Sequence, residues 1–424
     1  MTTTRIPGAQ TKRQASSEAP ARARTEPIRR IIAAEGANYF LLLGTTLFLV
    51  IFGLVIVLSA SFVVAVAAGD SPFIVFVRQG LYAIIGVPLM LVASRMPASF
   101  WKRWAWPALI VGACLQLLVF VPGLGVASGG NRNWIQIGGV NAQPSELVKL
   151  ALVVWIAWIL TAKKDLLGDW KHVALPIAPV AGVAIGFVLL GNDLGTAFIM
   201  LAIVIGSMFF AGVRLRILAL ALAGIAVLGL LFSVASPSRS ERIMVWMKGC
   251  TEHDLANYCW QVTHGTWALA SGGLFGVGLG NSKSTWSWLP EAANDFIFAV
   301  IGEELGLIGA VVVLLLFVVL AISFIRIIRS STNDFARIAT SGIMIWVIGQ
   351  AFVNIAVVLG VLPVLGVPLP LISAGGSALI STLLAIGVVL SFARSPERRM
   401  PVRAVQGPAE RSRLAAAQRV RPQR

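Results

Sequence analysis

One carboxylate stands at the boundary between a polar loop and a long apolar stretch. Asp295 follows a loop that also carries Glu291, and it opens an apolar window over residues 295–325. A carboxylate at such a boundary is partly desolvated, and burial raises its pKa toward the range of a useful general base. The same position suits a residue that caps the following helix. The two roles can coexist, and spacing alone does not separate them.

Three further acids lie near Asp295. Glu291, about one helical turn upstream, fits either a contact to substrate or metal, or a solvated loop acid. Glu303 and Glu304 lie inside the apolar window, where ionisable groups are costly and are usually paired or functional. We expect these two to pair with an intramembrane base rather than to act in catalysis.

The elements that must position these residues are membrane helices. The chain has 424 residues, of which 57% are hydrophobic and 12% are charged. Soluble domains average about 45–50% apolar and about 25% charged residues, so neither a soluble globular domain nor a disordered chain fits. Ten windows are apolar enough to span a bilayer. They are residues 38–62, 73–94, 105–125, 146–162, 173–190, 194–212, 216–236, 295–325, 338–361 and 376–393.

Basic residues predict the orientation of these spans. Most of the net charge of +16 lies in two tails, residues 1–36 and 394–424, and the connections on the same side are the richest in Lys and Arg. Because cytoplasmic connections carry this excess, both termini are predicted to be cytoplasmic. The tails are expected to be disordered arms that lie against an anionic membrane surface, and no nucleic-acid partner is expected.

The sequence thus predicts an all-α polytopic membrane protein with ten transmembrane helices over residues 37–393. Residues 237–294, between helices 7 and 8, are predicted to form a large extracytoplasmic loop. Cys250 and Cys259 share this loop outside the reducing cytosol, so a disulfide between them is expected. The histidines and cysteines lack zinc-binding spacing, and no P-loop is present, which disfavours a zinc site and an ATP-driven pump.

A glycine-rich stretch at residues 272–280 contains dinucleotide-like spacings. No strand or βαβ unit precedes it, so a nucleotide site is disfavoured. A close-packed re-entrant or interfacial segment beside a substrate groove fits better, provided that its backbone groups are satisfied by protein or water.

Four blocks of sequence resemble those of a known family. They read GNRNWI at 130–135 with QPSELVK at 143–149, DLGTA at 193–197, LPEA at 289–292 with DFIFAVIGEELG at 295–306, and a Pro/Gly-rich block over 350–377. On these blocks, and over about residues 38–393, the chain resembles the SEDS family of cell-wall proteins, which includes FtsW, RodA and SpoVE. The third block looks more like the division members, typified by FtsW, than the elongation members.

The resemblance implies a peptidoglycan glycosyltransferase that polymerises lipid II at the outer face of the bacterial cytoplasmic membrane, during septal wall synthesis. It implies release of undecaprenyl diphosphate, and a class B penicillin-binding transpeptidase and other division proteins as partners. Two alternatives remain open at this point. The chain could be a flippase that carries lipid II across the membrane, or the elongation-type polymerase of the same family.

Within this family Asp295 is the expected catalytic base, and a diphosphate leaving group calls for cations. Arg132, Lys149 and Arg242 are the candidates. Lys149 shares a helix face with Glu146, three residues away, so the two form either part of the substrate site or an ion pair with each other. Arg132 could equally anchor to lipid phosphates.

The remaining expectations concern the groove and the cofactor. Ser373 and Ser377 are expected to line the substrate groove. Mg²⁺ or Mn²⁺ bridging the substrate diphosphate is expected, without a dedicated protein metal cage and without an organic cofactor. The chain departs from the family pattern where Gly191 and Asn192 replace Gln-Pro and where Ala374 replaces Tyr, which bears on how the substrate is positioned.

Overall fold

The computed structural model describes the backbone of residues 19–128, 131–137, 140–234, 237–249, 259–286 and 289–394. Thirteen α-helices are present in these residues, with a π-helical turn at Ile345–Gly349 that makes α11 and α12 one continuous rod. The helices are α1 (Ala19–Ala67), α2 (Ile74–Ala93), α3 (Ala98–Leu118), α4 (Pro144–Ala162), α5 (Trp170–Leu190), α6 (Leu194–Ala211), α7 (Leu215–Val234), α8 (Pro237–Lys248), α9 (Trp260–Gly272), α10 (Ile297–Ser330), α11 (Asp334–Met344), α12 (Gln350–Val358) and α13 (Gly376–Arg394).

Eight helical segments within the described residues are long and apolar enough to cross a membrane. They are Gly36–Ala67, Ile74–Ala93, Pro144–Ala162, Trp170–Leu190, Leu194–Ala211, Ile297–Ser330, Asp334–Val358 and Gly376–Arg394. A helix suits the bilayer because it satisfies its own backbone hydrogen bonds. The expected span over 105–125 corresponds to α3, which is not among these eight segments, and the span over 216–236 corresponds to α7, which counts only as a shorter apolar helix, Leu215–Gly229. A total of ten spans therefore stays a prediction.

The N-terminal segment differs from the expected disordered arm. Helix α1 begins at Ala19, so the part of the expected tail from residue 19 to residue 36 is helical. Its Ala, Arg and Glu residues favour helix, and the segment simply extends the membrane span that follows. Residues 1–18 and 395–424, the rest of the two expected tails, lie outside the described residues.

A small antiparallel sheet interrupts the all-helical expectation. Strands β1 (Gly125–Ser128), β2 (Asn131–Ile137) and β3 (Val140–Ala142) pair in that order, with Trp134 opposite Val126 and Ala142 opposite Ile135. Helix α3 therefore ends at Leu118 instead of continuing to 125. The chain turns back so tightly after it that a Cβ on Gly125 would lie 1.6 Å from the carbonyl oxygen of Val119.

Helix α4 lies at the centre of the bundle. It contacts α3, α5, α6, α11 and α13, and most of its side chains are buried. Trp155 on α4 and Trp346 in the π-helical turn are fully buried in this core. Large apolar side chains on the outer helices are exposed instead, as expected for surfaces that face lipid.

Helix α9 and the segment after it form a hairpin that packs against α10. A Cβ on Gly272 would lie 1.9 Å from the carbonyl oxygen of Gly302, so α9 approaches α10 at backbone distance. Helix α10 is broken at Gly306, whose φ of 68° is open only to glycine at low cost. The freed amide of Leu307 donates to the carbonyl oxygen of Gly273 at 2.9 Å. The expected close-packed, backbone-satisfied segment at 272–280 is found.

The two intramembrane glutamates have hydrogen-bond donors as partners in this hairpin. Glu304 accepts from the hydroxyl of Ser59 at 2.7 Å and from the amide of Gly280 at 3.2 Å. Glu303 accepts from the hydroxyl of Ser282 and from the amide of Lys283. The expected pairing with an intramembrane base is wrong for the described residues, because hydroxyl and amide groups fill that role. Through these bonds both acids hold residues 280–283 against α10.

Candidate active site

The N-terminal ends of α4, α6, α10 and α13 meet at one end of the bundle. The segment between α12 and α13, residues 359–375, crosses this end and contacts the start of α6 and the loop before α10. It leads into α13, whose first turn is bonded to the start of α4. Each helix N-terminus carries unpaired amides and a partial positive charge. This end is consequently suited to negatively charged groups, although the acids found in it repel one another.

Asp295 is half-buried at this end, two residues before α10 begins. Phe296 holds the N-cap position of α10, and no side chain caps that helix, so the capping role open to Asp295 on sequence is not found. Desolvation raises the pKa of its carboxyl group from 3.8 to about 7, with smaller contributions from the charges of Glu291 and Asp193. A carboxylate with such a pKa is partly ionised at neutral pH and can both take up and release a proton.

Asp193 is a second buried carboxylate at the same end, and it caps α6. It accepts from the amide of Thr196 at 2.9 Å, from the hydroxyl of Thr196 at 2.7 Å and from Nε2 of Gln143 at 2.9 Å. Burial nevertheless raises the pKa of Asp193, against the opposing effect of these hydrogen bonds and of the positive charge of Lys149. Its bonds are all used within the protein, which leaves Asp295 as the better candidate for the reacting base.

A short irregular segment, residues 365–368, contacts both the start of α6 and the carboxylate of Asp295. A Cβ on Gly195 would lie 2.3 Å from the carbonyl oxygen of Leu365, so the start of α6 touches this segment at backbone distance. On its other side a Cβ on Gly366 would lie 3.6 Å from Oδ2 of Asp295. The segment therefore forms one wall of the site beside the carboxylate.

Polar side chains tie this wall to the loop that carries Asp295. Asn354 donates from Nδ2 to the carbonyl oxygens of Asp295 at 2.7 Å and Val367 at 2.8 Å. The hydroxyl of Ser373 donates to the carbonyl oxygen of Asn294 at 2.7 Å and accepts from the amide of Leu369 at 2.8 Å. Ser373 is buried and both of its hydroxyl bonds are made within the protein, so it supports the backbone of the site and does not itself line a groove.

Ser377 and Gln143 join two helix starts. The amide of Gln143 donates to the hydroxyl oxygen of Ser377 at 3.1 Å, which links the start of α4 to the start of α13. Because the Gln143 side chain also reaches Asp193, one residue connects three helices at the site. Ser377 is half-buried and lies where a substrate groove was expected.

Glu146 and Lys149 lie beneath the site as an ion pair. Their charged atoms are 2.7 Å apart, and the side chains are 3% and 1% exposed. The ammonium group of Lys149 also donates to Oε1 of Gln350 at 3.0 Å and lies 4.8 Å from the ring centroid of Trp346. Of the two roles that their spacing allowed, the structure has the intrahelical pair, and neither side chain reaches the surface of the site.

The remaining candidates lie around this end of the bundle. Arg132 lies on β2, where its amide donates to the carbonyl oxygen of Gly191 at 2.9 Å and its guanidinium makes a long 3.4 Å bond to the carbonyl oxygen of Phe120. Glu291 is exposed and accepts from the side-chain amide of Asn294.

Two predicted features involve residues without a described side chain. Arg242 belongs to α8, but its side chain is outside the described set. Cys259 is buried and disulfide-bonded at the start of α9, and Cys250 lies outside the described residues. The predicted pairing of these two cysteines with each other stays a prediction.

The unusual turn before Asp193 has a steric explanation. A Cβ on Gly191 would lie 1.8 Å from Oδ1 of the buried Asn133, so only glycine fits there. Asn192 has a φ of 65°, a left-handed conformation that proline cannot adopt. Gly-Asn is therefore compatible with this turn, and Gln-Pro is not.

The described residues include no group of three or more metal-ligating side chains. A cation held mainly by a substrate diphosphate needs only one or two protein carboxylates. The exposed Glu291 meets that requirement, so the described residues fit a substrate-borne Mg²⁺ or Mn²⁺ but no metal held by the protein alone.

Four side-chain amides were not singled out from the sequence as site residues. Gln79 donates to the carbonyl oxygen of Ser373 at 3.0 Å, and Gln143, Gln350 and Asn354 hold the contacts described above. The available signal was their position, because a polar amide within or at the end of an apolar window is costly unless it is bonded.

The chain matches known proteins over most of its length. A family model described as "Cell cycle protein", for FtsW, RodA and SpoVE, matches residues 39–398. The chain is 37% identical to the probable peptidoglycan glycosyltransferase FtsW of Mycobacterium tuberculosis over 368 residues, 87% of this chain and 70% of the relative. It is 38% identical to the protein of that name from Geobacter sp. over 358 residues, 84% of this chain and 96% of the relative.

Solved structures give the same fold. The rod shape determining protein RodA of Thermus thermophilus superposes with a TM-score of 0.62 at 28% identity, over 84% of this chain and 96% of that one. A chain from a structure described as structural coordination of polymerization and crosslinking by a peptidoglycan synthase complex gives a TM-score of 0.67 at 28% identity, over 83% and 96%.

Proposed function

Because the chain belongs to the SEDS family of cell cycle proteins, with FtsW, RodA and SpoVE, we propose that it is a peptidoglycan glycosyltransferase of the FtsW type. The observation that carries this proposal is Asp295, a half-buried carboxylate with a pKa of about 7 beside four helix starts. Relatives named FtsW at 36–39% identity support the division type over the elongation type. The chain is a multi-pass membrane protein with the acids of this site at one end of its helices.

The proposed substrate is lipid II, a disaccharide-pentapeptide on undecaprenyl diphosphate. The 4-hydroxyl oxygen of the acceptor sugar attacks the anomeric carbon of the donor sugar and forms the new glycosidic bond. The bond from that carbon to the diphosphate oxygen breaks, and the diphosphate leaves with the bonding electrons. This single displacement inverts the anomeric centre. Asp295 takes the proton of the attacking hydroxyl and later releases it to water.

The helix starts around Asp295 supply partial positive charge for the diphosphate. Amides at the N-terminal ends of helices bind phosphate groups through hydrogen bonds and the helix dipole. Arg132 lies on the strand next to the start of α6 and is half-buried, so it can add a full positive charge from the rim. Substrate-borne Mg²⁺ or Mn²⁺ would neutralise part of the diphosphate charge.

The test is polymer formation from labelled lipid II by the purified full chain. Wild type should give long glycan chains, and Asp295→Asn should lose activity by about 10²–10⁴-fold, because the general base is gone. Asp70→Asn changes an exposed aspartate in the connection between α1 and α2 and should keep full activity. Normal polymer from a folded Asp295→Asn protein would overturn the assignment.

One observation favours the flippase alternative. Helix α10 is broken at Gly306 beside Glu303 and Glu304, and broken helices with buried polar groups occur in transporters. Wild-type protein in liposomes should decide between the two. Transfer of fluorescent lipid II across the bilayer without polymer, in the presence and absence of a transpeptidase, would favour a flippase.

We also propose a class B penicillin-binding transpeptidase as the partner and the division septum as the location, with the helix starts facing outward. The synthase complex to which this chain is similar supports such an assembly. Co-purification with the transpeptidase encoded in the same genome tests the partner. A fluorescent fusion that accumulates evenly along the cell wall instead of at the septum would contradict the location.

A further inference from the structure

Asn354 bridges two pieces of irregular backbone at the site. It is 1% exposed on α12, and its Nδ2 donates both to the carbonyl oxygen of Asp295 and to that of Val367. These two carbonyls belong to segments outside any helix or strand, so the regular backbone ladders do not satisfy them. One side-chain amide therefore fixes the spacing between the loop that carries Asp295 and the opposite wall.

Gln350 lies one helical turn before Asn354 and holds the next residue of the same wall. Its Nε2 donates to the carbonyl oxygen of Pro368 at 2.8 Å. Its Oε1 accepts from Nζ of Lys149 at 3.0 Å and from Nε1 of Trp346 at 3.1 Å. With donor and acceptor ends both bonded, the Gln350 side chain has a single orientation.

The two amides connect the buried ion pair to the reacting carboxylate. Lys149 orients Gln350, Gln350 holds Pro368, and Asn354 holds Val367 and the main chain of Asp295. Two turns of α12 thus present donors to consecutive carbonyls of the wall, and Gly366 in that wall faces Oδ2 of Asp295. This arrangement gives the buried Lys149 a role that needs no contact with substrate.

We propose that Asn354 and Gln350 are positioning residues for Asp295, and that Lys149 acts through Gln350 rather than by touching substrate. They keep the carboxylate at a fixed distance from the 365–368 segment, in a partly desolvated setting. The inference rests on the proposed function, since it concerns the reaction of the same site. A displacement of about 1 Å at a reacting group can cost about 10²-fold in rate.

Asn354→Leu tests the proposal, because leucine has a similar shape and no donor. We expect kcat for lipid II polymerisation to fall about 10- to 100-fold, with KM within about twofold of wild type. The acid limb of the pH profile should move to lower pH. Loosening the wall admits water to Asp295, so the pKa of its carboxyl group falls from about 7 toward its ordinary value. Glu291 and Asp193 are the acids whose charges also affect this pKa.

A second variant and a control make the outcome decisive. Gln350→Met removes the donor to Pro368 and adds no charge, so it should shift kcat and the acid limb in the same direction, and it replaces Asn354→Leu if that variant does not fold. The control is Gln136→Glu, which changes an exposed residue of β2 and should leave kcat and the acid limb as in wild type. Activity of wild type and inactivity of Asp295→Asn in the same assay establish the proposed function separately.

The overturning results are equally specific. A rise in KM with unchanged kcat would mean that the amides touch substrate. A fall in kcat with the acid limb unmoved would mean a general structural role, and wild-type kcat in both folded variants would remove any role.

Discussion

Gly366 presents its bare Cα to the carboxylate of Asp295. A Cβ at this position would lie 3.6 Å from Oδ2, and the backbone has a φ of 68°. The left-handed backbone favours glycine here, and a methyl group would fill the space beside the carboxylate at an ordinary contact distance. That space is where an acceptor hydroxyl can approach the base.

Gly366→Ala should lower polymerisation by about tenfold or more, because the added methyl group narrows the approach to Asp295 and the left-handed backbone costs about 1–2 kcal/mol. Gly360→Ala is the matched control. Gly360 has a φ of 74° and nothing within 4 Å of a Cβ, so it carries the backbone strain alone. Equal activity of the two variants would show that Gly366 has no steric role at the site.

The raised pKa of Asp295 predicts the pH dependence of catalysis. The base must be ionised, so kcat/KM should rise with pH and reach half of its plateau near the pKa of about 7. Initial rates of lipid II polymerisation between about pH 5 and pH 9 check this. A plateau that is already reached near pH 5 would mean that Asp295 is well hydrated or is not the base.

The same pKa predicts that Asp295 destabilises the folded protein at neutral pH. The folded state binds this proton more tightly than the unfolded chain between 3.8 and about 7, so the contribution to stability falls as the pH rises through that window. Asp295→Asn removes the buried charge. Its melting temperature in detergent should exceed that of wild type at pH 8, and the difference should shrink near pH 4.

Asp70→Asn should show no such gain, because that aspartate is exposed. A lower melting temperature for Asp295→Asn at every pH would instead indicate a supporting role for the carboxylate in the fold.

Breaking the Glu146–Lys149 pair should be costly, and removing it whole should be less so. Lys149→Met leaves the buried carboxylate of Glu146 without its cation, and the loss of a partner in a buried pair costs about 3–5 kcal/mol. The double variant Glu146→Gln with Lys149→Met should unfold at a higher temperature than Lys149→Met alone. Additive losses in this double-mutant cycle would show that the two side chains do not interact.

Several features followed from short stretches of sequence because their causes are local. Hydropathy over about 20 residues marks a membrane helix, and the spacing of Glu146 and Lys149 allows an ion pair within one helix. The setting of Asp295, between a polar loop and an apolar helix, indicates desolvation from neighbours in the chain alone. The family resemblance rested on equally compact blocks, and the comparisons confirm it.

Other features depend on contacts between residues far apart in the chain, which no single stretch records. The turn after α3 and the pairing of β1 with β2 replaced an expected span end, because glycines there permit a tight reversal that hydropathy does not register. Glu303 and Glu304 accept from hydroxyl and amide donors on α1 and on the hairpin that follows α9, where spacing alone suggested a basic partner.

The sequence by itself determined that the chain spans a membrane, which family it resembles, and that Asp295 is the acid to consider. Tertiary structure alone decided how that acid is held. The bond from Asn354 to Asp295 joins residues 59 positions apart, and that from Lys149 to Gln350 joins residues 201 apart. Such bonds exist only once the helices have packed, because the buried amides have no water left to bond and must find partners on neighbouring helices.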